Sequence, residues 1–334
     1  MNEGILSAIG NTPLVSLQRV FKDLHFRVYA KLEGLNPGGS MKDRPAMSVI
    51  KRGLETGEIT QDTVVIESSS GNMGIGLAQI CSYYGLRFIC VVDPKTTAQN
   101  IRILEAYGAE IELVSEPDII TGEFLQARIA RVQSLLASFK SAFWPDQYAN
   151  LYNPIAHYQT MDEILKVLGK EVDYLFCAVS TCGTLRGCGE YIENHKLNTE
   201  VFAVDAVGSV IFGNRIGKRL IPGHGAAVRP KLYRKGLAHR YIEMTDLDCI
   251  IGCRRLACEE AILAGGSSGA LIMAIESVKQ DIPKDATCVV ILPDRGERYL
   301  DSIYSDSWVK EHFGDVSHLW KDPQEAQACI TMTC

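Results

Sequence analysis

The chain has 334 residues, 46% of them apolar and 22% charged, with a formal net charge of −6. That is the balance of a soluble globular protein with enough chain for two cores, and the acidic excess argues against nucleic acid or an acidic membrane as main partner. No stretch approaches the roughly 20 apolar residues of a membrane span, and the N-terminal segment lacks a basic stretch followed by an apolar core, so a cytoplasmic protein is expected.

Eleven cysteines, an odd number, fit reduced thiols rather than a disulfide framework. Cys249, Cys253 and Cys258 sit in a helix-like stretch without a nearby histidine, which points to packing and not to a metal.

The first chemical signal in chain order is Asn36-Pro37-Gly38-Gly39-Ser40-Met41-Lys42-Asp43-Arg44. Turn-forming residues run into a lysine, and a helical pattern follows through Ala46, Ile50 and Leu54 to Gly57. One amine is thereby placed at a helix entrance. A strand is predicted over 64–67, and Glu67-Ser68-Ser69-Ser70-Gly71-Asn72-Met73-Gly74 leads from it into a helix over 75–84. The N–H groups and hydroxyls of that turn suit a carboxylate, and Asn72 can hydrogen-bond a ring hydroxyl; alone, the turn is also an ordinary helix start.

Strands over 88–92 and 111–114 and helices over 98–107 and 125–138 come next. A strand over 174–179 then runs into Ser180-Thr181-Cys182-Gly183-Thr184 and a helix over 185–195. Five small residues at such a turn make a phosphate cup, and the lack of G-x-x-x-x-G-K-[ST] argues against a nucleoside triphosphate. Cys182 here is either a thiol of lowered pKa or a space-filling side chain.

After a strand over 201–204, Gly265-Gly266-Ser267-Ser268-Gly269-Ala270 opens a helix over 270–279, and a strand over 288–292 follows. A serine in that loop can hydrogen-bond a neutral pyridine nitrogen. A hydroxyl leaves such a ring less electron-demanding than a carboxylate would, which favours elimination and replacement at Cβ over transamination. One lysine set against three such loops is what a phosphorylated aldehyde cofactor held as a Schiff base requires.

Short apolar strands alternating with helices predict an α/β fold of two doubly wound domains with mainly parallel sheets, with ligands at the carboxyl ends of strands. One block covers 40–143; the other covers 144–317 and recruits 1–39, and 318–334 reads as a polar tail.

Lys42 and these loops together resemble the cysteine synthase family of fold-type II pyridoxal-phosphate enzymes. The resemblance covers nearly the whole chain, from Gly10-Asn11-Thr12-Pro13-Leu14 to Leu292-Pro293-Asp294. It implies a homodimer, a smaller mobile domain over 40–143, and pyridoxal 5'-phosphate in the larger one. It implies Lys42 as the Schiff-base lysine and Asn72 beside the ring hydroxyl. Ser180, Thr181, Cys182, Gly183 and Thr184 would surround the phosphate, and Ser267 would meet the pyridine nitrogen. Ser69, Ser70, Gly71 and Gln147 would receive the amino acid's carboxylate.

Within the family, Gln147-Tyr148-Ala149-Asn150 and the stretches 205–213 and 293–301 look like a siderophore-pathway branch. Its members take O-phospho-L-serine, eliminate phosphate and add the amine of L-glutamate, giving a precursor of 2,3-diaminopropionate. Arg128 falls where that branch has an arginine, with Tyr148 and Ser180 as polar neighbours. A phosphate and a dicarboxylate call for arginines where sulfide does not, and Arg229 and Arg295 are the further candidates. Residues 222–226 are expected to form a mobile loop over the entrance, with His224 a loop residue and not a catalyst. The competing expectations are a cysteine synthase using sulfide, a serine/threonine deaminase, and a non-catalytic cofactor-binding scaffold.

Overall fold

The computed structural model describes residues 4–119, 122, 124–213 and 216–320. The chain opens with β1 (Leu14–Ser16) and β2 (Arg27–Leu32), then enters α1 (Asp43–Thr56). Strand and helix next alternate through β3 (Val64–Ser68), α2 (Asn72–Tyr84), β4 (Arg87–Val92), α3 (Ala98–Ala106), β5 (Glu110–Leu113), α4 (Phe124–Ser138) and β6 (Ala142–Phe143). Helices α5 (Tyr152–Ile155) and α6 (Tyr158–Leu168) lead to β7 (Tyr174–Ala178), α7 (Gly183–His195) and β8 (Glu200–Ala206). The last part runs β9 (Arg240–Met244), α8 (Asp246–Glu260), α9 (Gly266–Val278), β10 (Thr287–Leu292) and α10 (Asp306–Phe313).

The strands form two sheets. One is parallel throughout, in the order β5-β4-β3-β6. The other runs β1-β2-β10-β7-β8-β9 and is parallel except for the antiparallel β1–β2 pair. The chain therefore has the expected α/β class with mainly parallel sheets.

Alternation along each strand explains why helices cover both faces. In the smaller sheet, Val65, Phe88, Cys90 and Val92 pack with α1 and α2 residues such as Ile50 and Leu77. Their neighbours Val64, Ile66, Ile89 and Val91 pack with Val132 and Leu135 of α4. In the larger sheet, Phe176, Phe202 and Val290 meet α8 and α9, while Leu175, Val201 and Ile291 meet the α6–α7 side.

Helices α8 and α9 cross at Gly252 and Gly269. A Cβ on Gly269 would overlap the Cys249 carbonyl oxygen, and one on Gly252 would overlap the Gly269 carbonyl oxygen. Backbone against backbone cannot move aside, so Gly269→Ala is expected to destabilise the fold by about 3 kcal/mol or more. Denaturant unfolding of the variant checks this; an unchanged midpoint would contradict the crossing.

Several elements were not predicted: β1, β2, β6, β9, α5, α6 and α10. The helix starts also lie earlier than expected, so Asn72, Gly183 and Ser267 belong to first turns of helices rather than to the preceding loops. Of the predicted tail, residues 318–320 are folded, with the Trp320 ring 5.3 Å from the Arg254 guanidinium and packed on the larger core. The remainder, 321–334, lies outside the described residues. Cys249 and Cys253 are buried between α8 and α9, and Cys258 is exposed. Among the described residues there is no group of three potential metal ligands, and no helix is long and apolar enough to cross a membrane.

Candidate active site

Parallel sheets leave a crevice where successive connections depart in opposite directions. In the smaller sheet this point lies between β3 and β6, and in the larger sheet between β7 and β10. The loops following those four strands carry most of the residues singled out in the sequence.

Lys42 caps α1, and its loop is fixed from several sides. The Asp43 carboxylate accepts the Gly38 N–H at 2.5 Å, and Ser40 Oγ accepts the Lys42 N–H at 3.2 Å. Met41 N donates to Pro293 O at 2.7 Å, tying the loop to the end of β10. Two residues beyond Lys42, Arg44 reaches into a buried ionic cluster. It donates to both oxygens of Glu33 at 2.7 and 2.8 Å and to both oxygens of Glu163 at 2.9 and 2.7 Å. Lys31 adds a second cation on Glu163 at 2.5 Å. Arg44 belongs to the lysine motif read in the sequence, but its partners Glu33, Glu163 and Lys31 were not expected.

The Lys42 amine lies 3.3 Å from Thr181 Oγ1, so the amine and the predicted phosphate cup meet. Burial lowers this amine to about 8. Only a neutral amine attacks an aldehyde, so the rate at which apoprotein captures the cofactor should rise through pH 8 and level off above it. A rate still climbing towards the ordinary lysine value of 10.5 would contradict that environment.

The cup itself is the turn from β7 into α7. Cys182 adopts a left-handed conformation (φ 65°) and places Gly183 and Thr184 in the helix's first turn. The unpaired N–H groups of such a turn favour an anion. Gly183 has no room for a side chain because Asn153 lies against it. Thr184 Oγ1 sits 3.3 Å from His157 Nε2, a wholly buried histidine that the sequence did not flag. Cys182 is buried, and burial pushes its thiol up to about 12. Of the two expectations for this thiol, a lowered pKa is corrected in direction, and burial agrees with a side chain that fills space.

At the end of β3, Ser69 is buried, and its Oγ accepts N–H groups from Gly74 at 2.9 Å and Gly71 at 3.4 Å. It braces the turn, while Ser70 and Gly71 are half-buried at its tip. Gln147, after β6, is buried beside this turn and donates from Nε2 to Ser68 O at 3.2 Å. Glu67 joins the two segments by accepting from Trp144 Nε1, Ser68 N and Gln147 N; burial raises its carboxyl to about 7. Tyr148 follows Gln147, and burial raises its phenol, opposed by the charges of Arg128 and Arg219.

Ser267 is buried in the first turn of α9. Gly265 must be glycine, since any Cβ would overlap the Asp294 carboxylate. Asp294 in turn accepts Asn72 Nδ2 at 2.7 Å and pairs with Ser40 in an isolated bridge. The contacts thus run from Thr181 through Lys42 and Ser40 to Asp294, and from there to Asn72 and the start of α9. Asp294 lies just past an apolar strand, which is the signal the sequence carries for it.

The arginines separate. Arg128 is buried on α4, 3.2 Å from Asp93, with Nε and Nη1 lacking a hydrogen bond. Arg229 is exposed, donates to Ile211 O at 3.1 Å and lies over the Tyr233 ring. Arg295 is an exposed residue 3.8 Å from Glu297, and its N–H donates to Gly39 O at 3.2 Å in the lysine loop. The 222–226 loop is tied down by Gly225 N to Val179 O at 2.8 Å and Ala226 N to Ser209 Oγ at 3.0 Å. His224 is buried within it against the Asp205 backbone, without good hydrogen-bond geometry, and burial lowers its imidazole to about 4.

These residues fit a phosphorylated pyridine aldehyde. An amine of lowered pKa stands beside an anion cup, with an amide on one side and a buried serine at a further helix start.

Comparison with known proteins agrees. A family model described as pyridoxal-phosphate dependent enzyme matches residues 5–294. A hydrogen sulfide-producing enzyme from Fusobacterium nucleatum is 35% identical, with a TM-score of 0.83 over 89% of this chain and 99% of that one. An O-acetylserine dependent cystathionine beta-synthase from Helicobacter pylori is 31% identical, with a TM-score of 0.84 over 90% and 98%. An O-ureido-L-serine synthase is 28% identical, with a TM-score of 0.84 over 97% and 98%. The chain belongs to the pyridoxal-phosphate dependent enzymes of the cysteine synthase type, and its cofactor is pyridoxal 5'-phosphate.

Proposed function

We propose that this enzyme, working as a cytoplasmic homodimer, joins O-phospho-L-serine and L-glutamate. The products are N-(2-amino-2-carboxyethyl)-L-glutamate, a 2,3-diaminopropionate precursor for siderophore synthesis, and inorganic phosphate. The observation that carries the choice of nucleophile is the buried Arg128 guanidinium, which has one carboxylate, Asp93, 3.2 Å from Nε and no hydrogen bond at Nη1. Arg219 adds a buried Nε without a hydrogen bond. A buried cation left short of partners favours an anionic ligand, and sulfide would need neither arginine. The sequence stretches around Tyr148, 205–213 and 293–301 support the same choice.

Bound cofactor supplies an electron-withdrawing ring that acidifies the substrate's Cα. Ser70, Gly71 and Gln147 hold the substrate carboxylate at the start of α2. The Lys42 amine takes the Cα proton, since it is the base nearest the cofactor's point of attachment. Phosphate departs from Cβ, the neutral amine of glutamate bonds to Cβ, and Lys42 returns a proton to Cα. Arg128 and Tyr148 orient the incoming dicarboxylate. Closure of the smaller unit over the cleft keeps water from competing with glutamate.

A second reading is a cysteine synthase using O-acetylserine or O-phosphoserine with sulfide. It is favoured by the hydrogen sulfide-producing and O-acetylserine dependent relatives. Parallel assays of phosphate release from O-phosphoserine and acetate release from O-acetylserine, each with glutamate present, test the donor. Turnover of O-acetylserine alone would defeat the proposal.

A further inference from the structure

Asn72 is held at both ends of its amide. Its Nδ2 donates to Asp294 Oδ2 at 2.7 Å, and its Oδ1 accepts from Arg298 Nη1. The two ends of an asparagine amide have the same shape, so neighbours decide which is which. Here the neighbours leave one solution. A guanidinium only donates, so it needs the carbonyl end. Asp294 Oδ2 also accepts Tyr299 OH at 2.5 Å, and an oxygen receiving two donors carries no proton of its own. It therefore needs the amino end. Flipping the amide would set N–H against guanidinium and C=O against carboxylate.

Arg298 also donates to Gly38 O, in the loop that presents Lys42. The same guanidinium thus spans the start of α2 and the lysine loop. Asp294 lies against Gly265 at the start of α9. Neither residue has a role in the chemistry described above.

We infer that Asp294 and Arg298 are positioning residues that fix the Asn72 amide, leaving its second Nδ2 hydrogen for the ring hydroxyl of the cofactor. The inference rests on the placement of Asn72 beside that hydroxyl. A donor aimed at the ring oxygen favours the ionised hydroxyl. The pair would therefore tune the resting cofactor and not only its affinity.

The test reads the visible spectrum of the resting holoenzyme at fixed pH, as the ratio of ionised to un-ionised cofactor bands. Asn72→Ala should lower that ratio about tenfold, equivalent to about one pH unit. Arg298→Met and the isosteric Asp294→Asn should do the same, and Arg298→Lys should restore the wild-type ratio. The double variant Asn72→Ala/Arg298→Met should shift no further than Asn72→Ala, because both act through one amide. Wild-type ratios in Arg298→Met and Asp294→Asn, or additive shifts in the double variant, would overturn the inference. A wild-type ratio in Asn72→Ala would instead remove the placement of Asn72 on which it stands. Thermal unfolding of each variant separates a spectral change from loss of fold.

Discussion

Lys42→Ala protein is expected to fold, to lack the absorbance of lysine-linked cofactor, and to lose turnover by a factor on the order of 10⁴. The side chain has two jobs in this account, attachment of the cofactor and transfer of the Cα proton, and no neighbour can assume either. Thr181, its hydrogen-bond partner at 3.3 Å, has no basic group, and His157 is buried with its imidazole pushed well below the usual range by burial. The fold should survive because the residue as a whole is half-buried at a helix entrance and its buried amine makes one side-chain hydrogen bond. Retention of the lysine-linked band in the variant would move the attachment point elsewhere.

Arg44→Met should have the largest effect on stability. The arginine satisfies two buried carboxylates at once, and Lys31 alone cannot replace four charge-assisted hydrogen bonds. Removing one partner from a buried ionic cluster leaves uncompensated charge, which costs roughly 3–5 kcal/mol. The same cluster gives a pH dependence. Burial opposes ionisation of Glu163, but hydrogen bonds from Arg44 and Lys31 outweigh it and hold the carboxyl down to about 2, from an ordinary 4.5. A depressed carboxyl contributes stability that is fully present above pH 4.5 and is lost as pH falls towards 2. Denaturant unfolding at pH 7 and along an acid series reads both effects. An Arg44→Met variant as stable as wild type would mean that the cluster contributes nothing net to the fold.

The sequence displayed the alternation of apolar strand and helix because both sheets are covered on both faces. It displayed the loops after β3 and β7 because small residues at strand ends stand out locally. What escaped it was long-range or short. The Glu33–Arg44–Glu163 cluster and the Asp294–Asn72–Arg298 group are joined only by folding, so no local pattern announces them. Strand β2 was hidden by Lys31, a charge in the middle of an apolar run that the cluster neutralises. Strand β6 has two residues, too few for a period, and β9 is an edge strand with mostly exposed positions. Helix α6 did carry a legible signal, with Met161, Ile164, Leu165 and Leu168 at helical spacing. The arginines were the hardest, since exposure and pairing, which separate Arg128 from Arg295, are not written in the chain.

The identity of the two substrates can be read from one titration. Purified holoenzyme is mixed with O-phospho-L-serine while the cofactor absorbance and free phosphate are followed; L-glutamate or sulfide is then added to separate samples. The account predicts a shifted band with phosphate released in the first step, and recovery of the resting band with a new dicarboxylated amino acid on addition of glutamate. Recovery with sulfide alone would make this a cysteine-forming enzyme and leave Arg128 without a substrate to hold.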